Sequence, residues 1–165
     1  MLEGFPPIAR RSASVLVLGS MPGAASLAAG EYYAHPRNQF WRITGTLCGF
    51  DAAAPYRRRV AGLRAADVAL WDVIRCCVRR GSLDAAIEPA SVRVNDFQAF
   101  LVAHPHIAQI FFNGSQAEQV WRRHVAPGLS LRRELRLRRL PSTSPAHAAL
   151  SYSGKLRAWR ILRAR

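Results

Sequence analysis

The stretch Val15-Leu16-Val17-Leu18-Gly19-Ser20-Met21-Pro22-Gly23 decides how this chain is read. Four consecutive apolar residues suit a short strand buried on both faces. The Gly/Pro turn that follows exposes backbone at the strand's carboxyl end, which is where open α/β sheets bind ligands. Fifteen residues after Gly23 comes Asn38, inside Ala34-His35-Pro36-Arg37-Asn38-Gln39-Phe40-Trp41. A neutral amide beside aromatic rings suits something flat and polar, so the two segments together point to a nucleobase pocket.

Working outward, apolar runs predict further strands over 68–71, 107–112 and 134–140. Amphipathic stretches predict helices over 38–48, 57–65, 95–103, 115–125 and 153–164, with a start at Asn95-Asp96-Phe97 and a cap at Ser153. This alternation is the pattern of an α/β fold with helices on both faces of a sheet. No repeat, low-complexity tract or linker divides residues 1–165, so one domain is expected. The turn 19–23, Asp72, Asn113-Gly114 and the segment 141–147 each follow a predicted strand. In a parallel sheet those ends share one edge, so all four converge on one cleft.

Charge narrows the partner. The 165 residues carry 24 Lys and Arg against 10 Asp and Glu, a formal net charge of +14, and every base except Lys155 is arginine. From Arg122 onward there are twelve bases and one acid, Glu134. That concentration fits a surface that meets nucleic acid, the plain alternative being an Arg-rich composition with solvated faces. A lipid surface fits less well, because the basic stretch has no long apolar face. Cys48, Cys76 and Cys77 show no iron–sulfur or zinc spacing, and fit reduced thiols in a cytoplasmic protein. Arg10-Arg11 before an Ala-rich stretch resembles an export signal, but Glu3 precedes it and Pro22 and Gly23 interrupt it, which favours strand plus turn. No segment is long enough to cross a membrane.

At these residues the chain resembles the uracil-DNA glycosylase superfamily, most closely its hypoxanthine (deoxyinosine)-DNA glycosylase branch. The resemblance rests on Leu18-Gly19-Ser20-Met21-Pro22-Gly23, Tyr32-Tyr33-Ala34-His35-Pro36-Arg37-Asn38-Gln39-Phe40-Trp41 and Leu70-Trp71-Asp72-Val73. It continues through Gly81-Ser82-Leu83-Asp84, Phe111-Phe112-Asn113-Gly114 and Leu140-Pro141-Ser142-Thr143-Ser144-Pro145-Ala146-His147. It implies a three-layer α/β/α sandwich around a central, mainly parallel four-stranded sheet, and hydrolysis of the N-glycosidic bond of a damaged base. One position departs. Many members carry Asp or Asn in the first motif to position or activate water, where this chain has Met21. In the hypoxanthine branch that role moves to the Asn of the His-Pro-x-Asn-x-Phe-Trp segment, here Asn38.

Such a reaction needs a base rotated out of the stack, a held water and donors aimed at the leaving group. It needs no metal and no cofactor. Asn38 is the candidate to position water, since a cation-like sugar demands orientation more than base strength; the same amide could simply cap the following helix. Asn113 offers donor and acceptor to a base edge, or serves an Asn-Gly turn. Gly19, Ser20 and Met21 would bring backbone to the base, and Phe40, with Tyr32 or Tyr33, would stack on it, the alternative being that Phe40, like Trp41, is a core residue of its helix. Asp72 reads as a holder of a pocket loop or a water, or as a helix cap. The resemblance makes 141–147 a DNA-entering loop in which Ser142, Thr143 and Ser144 contact phosphate. It leaves His147 as a donor to the departing base, a phosphate ligand or a surface cap.

Arg132, Arg133, Arg136, Arg138 and Arg139, with Lys155, would follow the backbone of double- or single-stranded DNA. The expected protein is a cytoplasmic, nucleoid-associated monomer that excises hypoxanthine from DNA. A uracil- or mismatch-directed glycosylase, or a non-catalytic nucleic-acid-binding domain, is the alternative.

Overall fold

The computed structural model describes residues 1–163. Its centre is a parallel sheet of β2 (Val15–Gly19), β3 (Val68–Asp72), β6 (Gln109–Asn113) and β7 (Arg136–Leu140), in the order β3-β2-β6-β7. The apolar run that opened the sequence reading is the central strand β2, buried along its whole length. Parallel strands covered on both faces lose the polar alternation of a half-exposed strand, and β2 and β3 show that loss. β7 is the edge, and only Leu140 of its five residues is buried.

The register aligns the strand ends. Gly19 pairs with Asp72, and Asn113 pairs with Leu140. The chain steps from β2 outward to β3 and then returns to the other side of β2 to form β6. Strand order therefore reverses at β2, and such a switch point opens a crevice beyond the carboxyl ends.

Helical layers close both faces. Leu18, Trp71 and Phe112 lie abreast. Trp71 meets Phe97 and Phe100 of α4 (Phe97–Ala103), and Phe112 meets Trp121. A second aromatic cluster joins α2 (Phe40–Cys48), α3 (Tyr56–Ala65) and α6 (Tyr152–Trp159) through Phe40, Trp41, Tyr56 and Trp159. These buried rings make a continuous core.

Several elements differ from expectation. A short helix, α1 (Ala24–Ala29), follows the first turn. A small antiparallel sheet joins β1 (Leu2–Glu3), β4 (Ile74–Cys77) and β5 (Arg93–Val94). The helix expected over 115–125 is regular only in α5 (Ser115–Val120) and widens into a π turn at Trp121–Val125, where Trp121 and Val125 are buried. Asp96 caps α4 by accepting from the Ala99 N–H at 2.9 Å. The last helix is capped by Ser151, not Ser153: its Oγ accepts from the Gly154 N–H at 3.2 Å. Residue 164, the expected end of that helix, lies outside the described residues. No helix among the described residues is long and apolar enough to cross a membrane.

Candidate active site

A cavity of about 470 Å³ opens at the carboxyl ends of the central strands. Its lining brings together the first turn, Tyr33, His35, Asn38, Asp72, Asp84, Asn113 and the segment 142–147. Residues widely separated in sequence therefore face one space, because β2, β3, β6 and β7 all end there.

Asn38 sits in a tight turn in which its own N–H donates to the His35 carbonyl at 2.8 Å. Its Oδ1 accepts from the Phe40 N–H at 2.9 Å and so satisfies a donor at the start of α2 that has no partner within the helix. That bond leaves the side-chain NH₂ uncommitted in a residue that lines the cavity, so helix capping and solvent holding are compatible in one residue.

Asn113 is more heavily engaged. Its Nδ2 donates to the Tyr33 hydroxyl at 3.0 Å and to Thr143 Oγ1 at 2.9 Å. Its Oδ1 accepts from the Thr143 N–H at 2.9 Å. Both amide hydrogens are spent, leaving one acceptor lone pair for a ligand. Asn113 is thus a clasp between β6 and the segment 141–147.

That segment is held from two further sides. The Thr143 carbonyl accepts from the Gln39 N–H at 3.0 Å, and Trp159 Nε1 donates to the Pro141 carbonyl at 2.9 Å. Thr143 has 0 % exposure, so its hydroxyl and N–H are internal anchors, which corrects the expectation of a phosphate contact. Ser142 and Ser144 line the cavity, and their hydroxyl oxygens accept from the Ser144 and Ala146 N–H groups. His147 lines it as well, its backbone N–H closing a turn on the Ser144 carbonyl.

Lys155 is a second correction. It is 2 % exposed, with Nζ 3.4 Å from the Ser144 carbonyl beneath the loop. Burial lowers its pKa and removes it from the exposed basic surface, against the expected DNA contact. Arg133 is also structural: its guanidinium donates to the carbonyls of Leu101, His104 and Ile107. Arg138 and Arg139 stand exposed on β7, and Arg139 lies 3.4 Å from Glu118.

Of these two rings Tyr33 lines the cavity, and Phe40 lies behind it. Phe40 has 0 % exposure and does not line the cavity. Tyr33 stacks on it at 4.1 Å between ring centres and presents its own ring to the space. Tyr33 adopts φ 54°, a sparsely populated conformation for a bulky residue that is typical of functional sites. Burial, and then the nearby Asp72, raise its pKa, so the hydroxyl stays protonated.

Gly19, Ser20 and Met21 all line the cavity. A Cβ on Gly19 would collide with the Asp72 carboxylate and crowd the Tyr33 hydroxyl, so only glycine fits between them. Ser20 donates its hydroxyl to Asp84 at 2.6 Å. Met21 is buried and offers only a thioether, so it activates no water.

Asp72 caps no described helix. It ends β3 at 3 % exposure, and its Oδ2 has no hydrogen-bond partner among the described residues. Burial chiefly, then Asp84, push its pKa from 3.8 to about 8 against the opposing pull of Arg79. Between about pH 4 and 8 the unfolded chain releases this proton while the folded state keeps it, so stability falls as pH rises through that window. Thermal melts should show Asp72→Asn gaining on the parent protein from pH 4 to 8, with the gain largest at pH 8.

Residues 6–163 match the sequence profile of the Uracil DNA glycosylase superfamily. The chain belongs to that superfamily, and its activity is that of a DNA glycosylase, with DNA as substrate. It is 34 % identical to the Hypoxanthine DNA glycosylase of Methanosarcina barkeri over 116 residues, 70 % of this chain and 72 % of that one. The Hypoxanthine DNA glycosylase of Methanosarcina acetivorans is 33 % identical over the same shares. The fold superposes with TM-score 0.76 on a solution NMR structure of a candidate uracil DNA glycosylase from Methanosarcina acetivorans, at 29 % identity and 98 % coverage of both chains.

Proposed function

We propose that this protein removes hypoxanthine from DNA by hydrolysing the deoxyinosine N-glycosidic bond, leaving an abasic site. One observation carries the reading: Asn38, with an uncommitted NH₂ group, faces the same cavity as the strand-end turns and the Tyr33 ring. An everted base stacks on Tyr33 while Asn38 orients water toward the sugar carbon. Met21 removes carboxylate or amide help from the first motif, which favours Asn38 for the hydrolytic role. Two relatives that share about a third of the matched residues are named for hypoxanthine, which supports the same substrate.

Strand cleavage through a Schiff base requires a free amine. Lys155 is the chain's single lysine, and it is buried against the Ser144 carbonyl outside the cavity lining. No lysine amine therefore lines the cavity, which supports a monofunctional glycosylase.

The test uses end-labelled duplexes and single strands carrying deoxyinosine, deoxyuridine or deoxyxanthosine, with alkali applied after incubation. Product from deoxyinosine in every preparation supports the reading. Product from deoxyuridine alone assigns a uracil glycosylase, and binding without product assigns a DNA-binding domain.

The arginines divide by role in a way that salt titration reads. Arg138→Ala should weaken duplex binding and reduce the slope of log affinity against log salt by about 1. Arg133→Ala should leave that slope unchanged and lower thermal stability, because it removes donors from three backbone carbonyls.

A further inference from the structure

We propose that Asp72 acts as a neutral carboxylic acid toward the departing base, donating its proton to a ring nitrogen of the purine as the glycosidic bond breaks. The inference rests on the hypoxanthine reading above and assigns that reaction a second catalytic group.

Position supports it first. Asp72 lines the cavity from the carboxyl end of β3, directly against Gly19. Its carbonyl is fixed by Asn95 Nδ2 at 2.8 Å, and the next residue's N–H donates to the Gly19 carbonyl at 2.9 Å. The strand end is therefore rigid, while the side-chain Oδ2 is buried without a partner. An unpaired polar atom in such a place costs stability unless something else uses it. The other side chains at these strand ends are already engaged. Asn113 has given both amide hydrogens to Tyr33 and Thr143, and Ser20 has given its hydroxyl hydrogen to Asp84.

Charge supports it second. Asp84 faces Asp72 from the 3₁₀ turn at Asp84–Ala86, and a like charge favours the protonated acid. Arg79 opposes this, but its guanidinium lies 3.9 Å from Asp84 and donates to the Gly81 and Pro22 carbonyls. Tyr32 and Tyr33 complete the surroundings as neutral phenols, both with raised pKa through burial. An acid that titrates just above neutrality suits proton donation at physiological pH.

The step balances. The N9–C1′ bond breaks and its electron pair goes to the purine. The Asp72 O–H bond breaks and its proton goes to a purine ring nitrogen. Water oxygen bonds to C1′, its surplus proton passes to solvent, and solvent reprotonates Asp72.

The experiment measures single-turnover hypoxanthine excision from pH 5.5 to 10 for the parent protein, Asp72→Asn and Asp84→Asn, with melts to check folding. The parent rate should fall as pH rises past about 8. Asp72→Asn should lose about 100-fold and lose that falling limb, because an amide does not titrate. Asp84→Asn keeps an acceptor for Ser20 but removes the like charge, so its limb should move to lower pH. A limb that survives in Asp72→Asn, or fails to move in Asp84→Asn, overturns the proposal. If Asp72→Asn does not fold, the Asp84→Asn shift decides alone. No hypoxanthine product from the parent protein at any pH would instead overturn the substrate reading.

Discussion

Asn38→Ala is expected to cut hypoxanthine excision by about 100- to 1,000-fold, with duplex binding nearly unchanged. In the proposed reaction this residue orients the attacking water, and Met21, at the matching position of the first motif, has no polar hydrogen to offer in its place. A confounding loss arises from the cap: removing Oδ1 strands the Phe40 N–H and costs about 1 kcal/mol of stability. Asn38→Asp separates the two effects. It keeps an acceptor for Phe40 but loses the NH₂ group, so it should melt close to the parent protein and still excise slowly. Single-turnover rates beside binding titrations make the check. Parent-like turnover by Asn38→Ala would remove Asn38 from the mechanism.

The second large effect is expected at Asn113. Asn113→Ala breaks three hydrogen bonds at once and leaves the buried Thr143 N–H without an acceptor. Each stranded buried group costs about 1–3 kcal/mol, so urea unfolding should report a loss of about 2–4 kcal/mol. Excision should fall with it, because the loop carrying Ser142, Ser144 and His147 loses its tether to β6. Asn113→Asp distinguishes tether from base contact. The Tyr33 and Thr143 hydroxyls can both rotate to donate to a carboxylate, so stability should largely return. A charge at the strand end would still oppose a leaving group that gathers negative charge, so excision should stay low. Recovery of both stability and rate in Asn113→Asp would reduce this residue to a tether alone.

The legible part of this fold is the part written as strand plus turn. Val15–Gly19 and Val68–Asp72 are short apolar runs ending in small or polar residues, and each becomes a buried parallel strand whose end opens on the cavity. The antiparallel sheet was hidden because β1 and β5 have two residues each, too few for any periodicity to register. The cap moved from Ser153 to Ser151 because serine suits either position, and tertiary contacts chose.

Convergence on the cavity was legible for residues whose placement follows from the strand ends and the turn before α2. Asn38, Asn113, Gly19 and His147 all reach the cavity. Burial was the invisible variable for the others. Lys155, Thr143 and Phe40 carry groups that a surface would use, yet each is covered by the segment it supports or the ring it underlies. Asp72 shows the same limit in reverse. Its unusual acidity needs enclosure and Asp84, twelve residues away, and no local pattern announces either.

The arginines of β7 have a consequence apart from the substrate. β7 is the outermost strand of the sheet, with four of its five residues exposed, and an open strand is a template on which a second copy can add. Guanidinium groups at Arg136, Arg138 and Arg139 make that rim repel its own kind while attracting a polyanion. Neutralising all three would therefore weaken the grip on nucleic acid and also leave a sheet margin prone to self-association in concentrated solution.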